Sequence, residues 1–260
     1  MIQELEKARA FKERLKAGEL VLGGQMALAD PTVVEIFGKA GFDWLVIDAE
    51  HAAQTPQTIK AMLQAGVHTG AVVLARPLKL DPDVIRHYLD LGSPGVLCPF
   101  IETEEDAQLL VSSCRYPPDG IRGFGPRRAA VYGFEVADYM DKANETMLCI
   151  PIIESAKAVE NIDAIVSVDG IDGVSIGPMD LSIDLGVFQQ FKDERYLEAV
   201  ATVRAACKRH GKAMGTGTYS LEHAIESRDA GDTLLLVGGD DLALQQGAAS
   251  TIAALRGNAG

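Results

Sequence analysis

WLVIDAEHAAQTPQTIKAMLQAGVHTGAVVLARPLKLDPDVIRHYLDLGSPGVLCPF (44–100) carries one unit twice and the start of a third. Each unit opens with a short continuous apolar run: Trp44–Asp48, Ala71–Arg76, Gly95–Phe100. Such runs, unlike alternating ones, mark strands buried on both faces. Helix-spaced segments follow, Pro56–Val67 and Pro82–Leu91. Thr55-Pro56 and Asp81-Pro82 put a capping side chain before a proline at the first helical position. Ala65-Gly66 and Leu91-Gly92 place glycine where those helices end.

The pattern extends in both directions. Further apolar runs are Leu20–Leu28, Met147–Glu154, Gly173–Gly177, Lys212–Gly217 and Thr233–Gly238, and further helical segments include Glu104–Cys114, Ala156–Val168 and Tyr196–His210. Eight alternations predict an α/β protein, a closed (β/α)8 TIM barrel, with residues 1–260 as one domain. An open doubly wound sheet is the rival, but GGQMALAD after the first run is not a phosphate-binding turn. The segment Tyr116–Phe134, YPPDGIRGFGPRRAAVYGF, reads as a long shaped loop after strand 4, and 241–256 as a C-terminal helix used in subunit packing.

The 260 residues include 24 Lys+Arg against 37 Asp+Glu, a net charge of −13. That balance argues against nucleic acid, which needs clustered cations. No apolar run nears the ~20 residues of a membrane span. The charged start, MIQELEKARAFKERLKAGE, does not read as a secretory leader. Cys98, Cys114, Cys149 and Cys207 have no metal-binding spacing and read as reduced thiols of a cytoplasmic protein.

In such a barrel, chemistry sits where strands end. Glu154 and Asp180 each close an apolar run, one βα unit apart. Two carboxylates at one mouth repel unless a cation lies between them, and a hard divalent ion suits so sparse a ligand set. Taken singly, either acid could equally cap the next helix. Asp48-Ala49-Glu50-His51 is the second cluster. Its histidine can move protons near neutral pH, with Asp48 or Glu50 fixing its tautomer. Arg76 can bind a carboxylate or steady an oxyanion, or pair with Glu50, or both. Arg127 and Arg128 read more readily as solvated loop charges than as an aldehyde-binding pair. His68, His87, His210 and His223 read as surface residues. No lysine sits at a strand's C-terminal end, which argues against Schiff-base chemistry.

Five stretches then carry a resemblance: DWLVIDAEHA (43–52), VLARP (73–77), YPPDGIRGFG (116–125), IIES (152–155) and GIDGVSIGPMDLS (170–182). They spread over most of the chain, and the set resembles the HpcH/HpaI class II aldolases. The resemblance implies a lyase that reversibly cleaves 4-hydroxy-2-oxo acids to pyruvate, or a close 2-oxo acid, and an aldehyde. It implies Glu154 and Asp180 as ligands of Mg²⁺, Mn²⁺ or Co²⁺. His51 would be the base, Asp48 would orient it, and Asp90 would raise its basicity. Arg76 would stabilise the enolate. Gly177, Pro178, Met179 and Asp180 would form the substrate-binding turn, with the amides of Met179 and Asp180 receiving the carboxylate. A homohexamer, a trimer of dimers, is implied, with the 116–134 loop near a mouth. Ile152 and Met179 depart from the family's usual glutamine and small residue. Rival readings are a citrate-lyase-β-like or phosphoenolpyruvate-mutase-like lyase, and a non-catalytic oxo-acid-binding protein.

Overall fold

The computed structural model describes residues 2–257. Eight parallel strands follow one another around a nearly closed barrel: β1 (Val21–Met26), β2 (Trp44–Asp48), β3 (Val72–Arg76), β4 (Gly95–Cys98), β5 (Leu148–Ile153), β6 (Gly173–Ile176), β7 (Ala213–Thr216) and β8 (Leu234–Gly239). The fold is the (β/α)8 barrel that the apolar runs predict. The ladder runs β7-β6-β5-β4-β3-β2-β1-β8, and its two ends meet at a seam. There the Thr233 amide donates to the Met214 carbonyl at 2.9 Å and the Thr218 amide to the Leu236 carbonyl at 2.8 Å. Gly215 permits this approach, since a Cβ there would fall 1.4 Å from the Leu234 carbonyl oxygen.

Helix α1 (Ile2–Lys16) precedes β1. The layer around the barrel comprises α2 (Pro31–Ala40), α3 (Pro56–Gly66), α4 (Pro82–Asp90), α5 (Glu104–Cys114), α6 (Val136–Thr146), α7 (Ala156–Glu160), α8 (Ile162–Ser167), α9 (Pro178–Asp184), α10 (Glu194–His210) and α11 (Leu221–Asp229). Helix α12 (Asp240–Arg256) ends the described chain. Asp30, Thr55 and Asp81 cap α2, α3 and α4, each with proline in the first turn. The segment expected as one helix over Ala156–Val168 is two, joined at Asn161.

Strand parity decides what fills the barrel. Val21, Trp44, Val46, Val72, Leu74, Leu97, Leu148, Ile150, Ile152, Leu234 and Leu236 form the interior cluster. Ala8, Phe11 and Leu15 of α1 belong to it too, so α1 plugs the foot of the barrel. Lys12 of that helix forms a buried ion pair with Asp172 at 3.2 Å. The alternate strand residues pack outward on the helices. One parity up from the interior cluster, the same inward faces carry Asp48, Arg76 and Glu154 at the mouth. The apolar interior is therefore the floor of a polar site.

Two expectations change here. The segment 116–134 follows α5, as the Glu104–Cys114 spacing predicts, but within its own chain it lies toward the foot and not near the mouth, since its Arg128 meets the C-terminal ends of α4 and α3. It includes a short 3₁₀ turn, Val131–Gly133. Arg128 is not a solvated loop charge: it is buried and donates to the carbonyls of Leu91 (2.7 Å) and Leu63 (3.1 Å), at the C-terminal ends of α4 and α3. It thereby satisfies carbonyls that a helix end leaves unpaired. Arg127 is exposed, as expected.

Candidate active site

Arg76 closes β3 beside Asp48, which closes β2, because the two are register partners. The guanidinium grips Asp48 with both ends: Nε to Oδ1 at 3.0 Å and Nη2 to Oδ2 at 2.7 Å. Its Nε also lies 3.3 Å from Glu50 Oε2. Among the described residues Nη1 has no acceptor, so one donor stays free. Asp48 further accepts the Gln25 side-chain amide (2.8 Å) and the backbone amides of Glu50 (3.0 Å) and His51 (3.1 Å). Burial pushes the Asp48 carboxyl up, but the Arg76 bonds and those two amides outweigh it and hold it below its ordinary range.

His51 stands just past β2 with its ring 63% exposed. Its Nε2 is 3.6 Å from Glu50 Oε2. Asp48 therefore orients His51 through the backbone amide, and Glu50 is the carboxylate beside the ring. Asp90 does not reach it. Asp90 ends α4 at the foot of the barrel, and its carboxylate is taken by Arg122 at 2.8 Å. A barrel height separates it from the mouth of the same chain, so the expected His51–Asp90 contact is absent within the chain. Arg122 is itself fully buried, its guanidinium 4.5 Å from the Tyr116 ring centroid.

Glu154 follows β5 and is buried. Its Oε1 accepts the Phe100 backbone amide at 2.8 Å. Its Oε2 has no hydrogen-bond donor among the described residues. Burial, with the carboxylates of Glu50 and Asp180 nearby, pushes the Glu154 carboxyl up to about 7. Glu50 moves the same way, through burial first, with Asp48 and Asp180 adding to it against the pull of Arg76 and His51. Asp180 is the third residue of α9, whose first turn begins with Pro178 after the cap residue Gly177. The first-turn amides of Met179 and Asp180 have no intrahelical acceptor. A Cβ on Gly177 would lie 2.9 Å from Glu154 Oε2 and 3.1 Å from Ile152 Cγ2, so glycine keeps this corner open. Glu154, Asp180, Ile152, Phe100, Ile101 and Ile183 share the lining of a cavity of about 260 Å³. Ile152 makes that wall apolar where a polar side chain was the family expectation.

Among the described residues no three His, Cys, Asp or Glu side chains form a ready-made metal cage. Of the two carboxylates Glu154 and Asp180, Glu154 has an oxygen without a donor and is pushed up to about 7 by burial first and by Glu50 and Asp180 after it, and neither forms an ion pair among the described residues. A hard divalent cation completed by substrate and water oxygens fits that donor set.

Two residues of the site escaped the sequence reading. Gln25 sits on the inward parity of β1, a signal that was available. Phe100 acts through its backbone, which no residue-type pattern displays.

Residues 25–245 match the family model described as HpcH/HpaI aldolase/citrate lyase. The chain is 37% identical over 249 residues to a hydroxypyruvate/pyruvate aldolase of Roseovarius nubinhibens, covering 95% of this chain and 96% of that protein. It is 37% identical over 231 residues to a 5-keto-4-deoxy-D-glucarate aldolase of Salmonella paratyphi C, covering 88% and 90%. Its fold superposes on a solved HpcH/HpaI aldolase/citrate lyase family protein of Burkholderia cenocepacia with a TM-score of 0.91 and 31% identity, covering 95% of this chain and 99% of the other.

The raised Glu154 carboxyl has a thermodynamic signature. A carboxyl whose folded value exceeds its unfolded value of 4.5 costs stability as the unfolded chain ionises first, so stability falls as pH rises from 4.5 to about 7 and levels off above. The full cost above that range is roughly 3 kcal/mol. Cation-free protein is expected to lose melting temperature between about pH 5 and pH 8 by more than Glu154→Gln does, and added Mn²⁺ is expected to restore the wild type alone. Parallel pH profiles for the two proteins in thermal unfolding contradict the assignment.

Proposed function

The chain belongs to the HpcH/HpaI aldolase/citrate lyase family, and from that premise we propose how it works as an aldolase, a carbon–carbon lyase that reversibly cleaves 4-hydroxy-2-oxo acids to pyruvate and an aldehyde. The observation that carries the reading is the mouth itself. One doubly held arginine with a free donor lies beside a half-exposed histidine, close to a buried acid that has no cation of its own.

Glu154 and Asp180 are the residues that would hold a divalent cation, Mg²⁺, Mn²⁺ or Co²⁺. Such a cation supplies Lewis acidity to the oxygens of a 2-oxo acid. The turn Gly177-Pro178-Met179-Asp180 receives the substrate carboxylate on the amides of Met179 and Asp180. His51 takes the proton of the 4-hydroxyl, and Glu50 beside the ring steadies the imidazolium that results. The C3–C4 bond breaks, its electron pair moves toward the 2-oxo oxygen, and the aldehyde leaves. Arg76 donates from Nη1 to the enolate oxygen. Asp48 fixes the guanidinium plane and Gln25 fixes Asp48, so the donor is aimed before substrate arrives. Return of a proton to C3 gives pyruvate. Asp90 has no part in this within one chain.

The same reading makes the protein a homo-oligomer, as a trimer of dimers. Helix α12 leaves the barrel after its first turn, with Leu244 65%, Ile252 48% and Leu255 82% exposed. Beside it, an apolar cleft of about 530 Å³ lies between α2 and α11 over β1 and β8, lined by Leu22, Ile36, Phe37, Phe42, Leu221 and Ile225. Every other strand-to-strand crossover supplies a helix to the outer layer, and this cleft is the place left over. A second copy's α12 is the occupant that fits its chemistry. The four free, buried thiols fit a reducing, cytoplasmic setting.

His51→Ala is expected to lower aldol cleavage by about 10²-fold or more. It should largely spare decarboxylation of oxaloacetate, which needs a stabilised enolate but no hydroxyl deprotonation. Both are followed as pyruvate release, and equal loss of the two contradicts the assignment of His51. For the assembly, Leu244→Asp with Ile252→Asp alters exposed positions only and is expected to yield smaller species by light scattering. An unchanged particle mass removes α12 from the interface.

A further inference from the structure

Phe100 is a bulky residue in the left-handed region, with φ of 57°. A side chain with a Cβ avoids that region, and an aromatic residue found there is an outlier that the surroundings must impose. Packing of the ring does not impose it: the residue is 56% exposed, and it shares the lining of the cavity with Glu154 and Asp180. Nor is it a turn that glycine has been denied for want of space, because the exposed ring has room. What the conformation achieves is a backbone contact. The preceding residue, Pro99, has no N–H, so the Phe100 amide is the first donor available after β4 ends. It meets Glu154 Oε1 at 2.8 Å.

That bond settles which way the Glu154 carboxylate faces. With Oε1 occupied, Oε2 is the oxygen left toward Gly177 and the cavity, and a glycine there is required to leave it room. Asp180 and Glu50 bear on the same carboxylate as like charges. Without an anchor, repulsion would turn it away from the corner where both acids can share one cation.

We infer that Phe100 is a positioning residue whose strained backbone aims its amide at Glu154 Oε1 and so presents Oε2, together with Asp180, to a divalent cation. The inference rests on the reading of Glu154 as a cation ligand. It adds a requirement that no side chain displays: the site is built by a main-chain N–H from the loop after β4.

The test removes the N–H and keeps the ring. In the full-length chain Phe100 is replaced by its α-hydroxy acid through nonsense suppression, which turns the Pro99–Phe100 amide into an ester. Mn²⁺ binding is measured by calorimetry, with no substrate and no turnover. A hydrogen bond to a charged group is strong enough that its loss is expected to weaken Mn²⁺ about tenfold or more. Phe100→Gly keeps the N–H, adopts the left-handed conformation without strain, and loses only the ring. It is expected to bind Mn²⁺ within about twofold of wild type. An ester variant that binds Mn²⁺ like wild type overturns the inference. So does a glycine variant as weak as the ester, since the ring would then be the operative group. Wild-type binding that is indifferent to Glu154→Gln overturns the acid-pair reading itself, and the inference with it.

Discussion

Four carboxylates, Asp48, Glu50, Glu154 and Asp180, gather at one barrel mouth around a single guanidinium, and the rest of the site follows from that imbalance. Arg76 is spent mainly on Asp48, with Glu50 at its edge. Glu154 is then left buried among like charges, with its carboxyl raised to about 7. Burying a carboxylate without a partner is costly, and proteins accept that cost where a cation or a proton is part of the chemistry. The apolar barrel interior enforces it. Ile152, buried at 4% exposure, is the inward residue of β5 one step below Glu154 and offers its carboxylate no polar partner.

Two classes of constraint hold these groups in place. Strand parity does the coarse work, since Asp48, Arg76 and Glu154 lie one parity step above the interior cluster on three strands. Fine aim comes from hydrogen bonds that terminate on the acids. Asp48 collects Arg76, Gln25 and two amides, which turns a flexible arginine into a fixed donor. Glu154 collects the Phe100 amide. Gly177 contributes by what it lacks, because any Cβ there would close the corner between Glu154 and Ile152.

The barrel was legible in the sequence because strands buried on both faces cannot hide among polar residues, and because capped helices with terminal glycines punctuate them. Glu154, Asp180, Arg76 and the Asp48–His51 cluster were legible for a related reason: each ends an apolar run, and in this architecture a run's end is the mouth. Asp90 shows the limit. Its role was implied by the resemblance alone, and in its own chain it ends a helix at the foot, where Arg122 holds it. The 116–134 segment follows α5, which the helical spacing of Glu104–Cys114 predicts, and so leaves from the foot end of its own chain. Arg128 looked solvated because the helix-end carbonyls it satisfies are far away in sequence, at Leu63 and Leu91. Phe100 carried no sequence signal, since a left-handed φ at a phenylalanine is set by its surroundings and not by its own preference.

The central claim is that the acid pair becomes competent only when a divalent cation joins it. Enolate formation can be read without knowing the aldehyde, from exchange of the pyruvate methyl protons with deuterium in D₂O, followed by NMR. The measurement is made on chelator-stripped protein and repeated with Mg²⁺, Mn²⁺ or Co²⁺, with Glu154→Gln alongside. The account predicts exchange that is lost on stripping, returns with cation, and stays absent in Glu154→Gln. Exchange that persists in the stripped protein, or that is equally fast in Glu154→Gln, would contradict it.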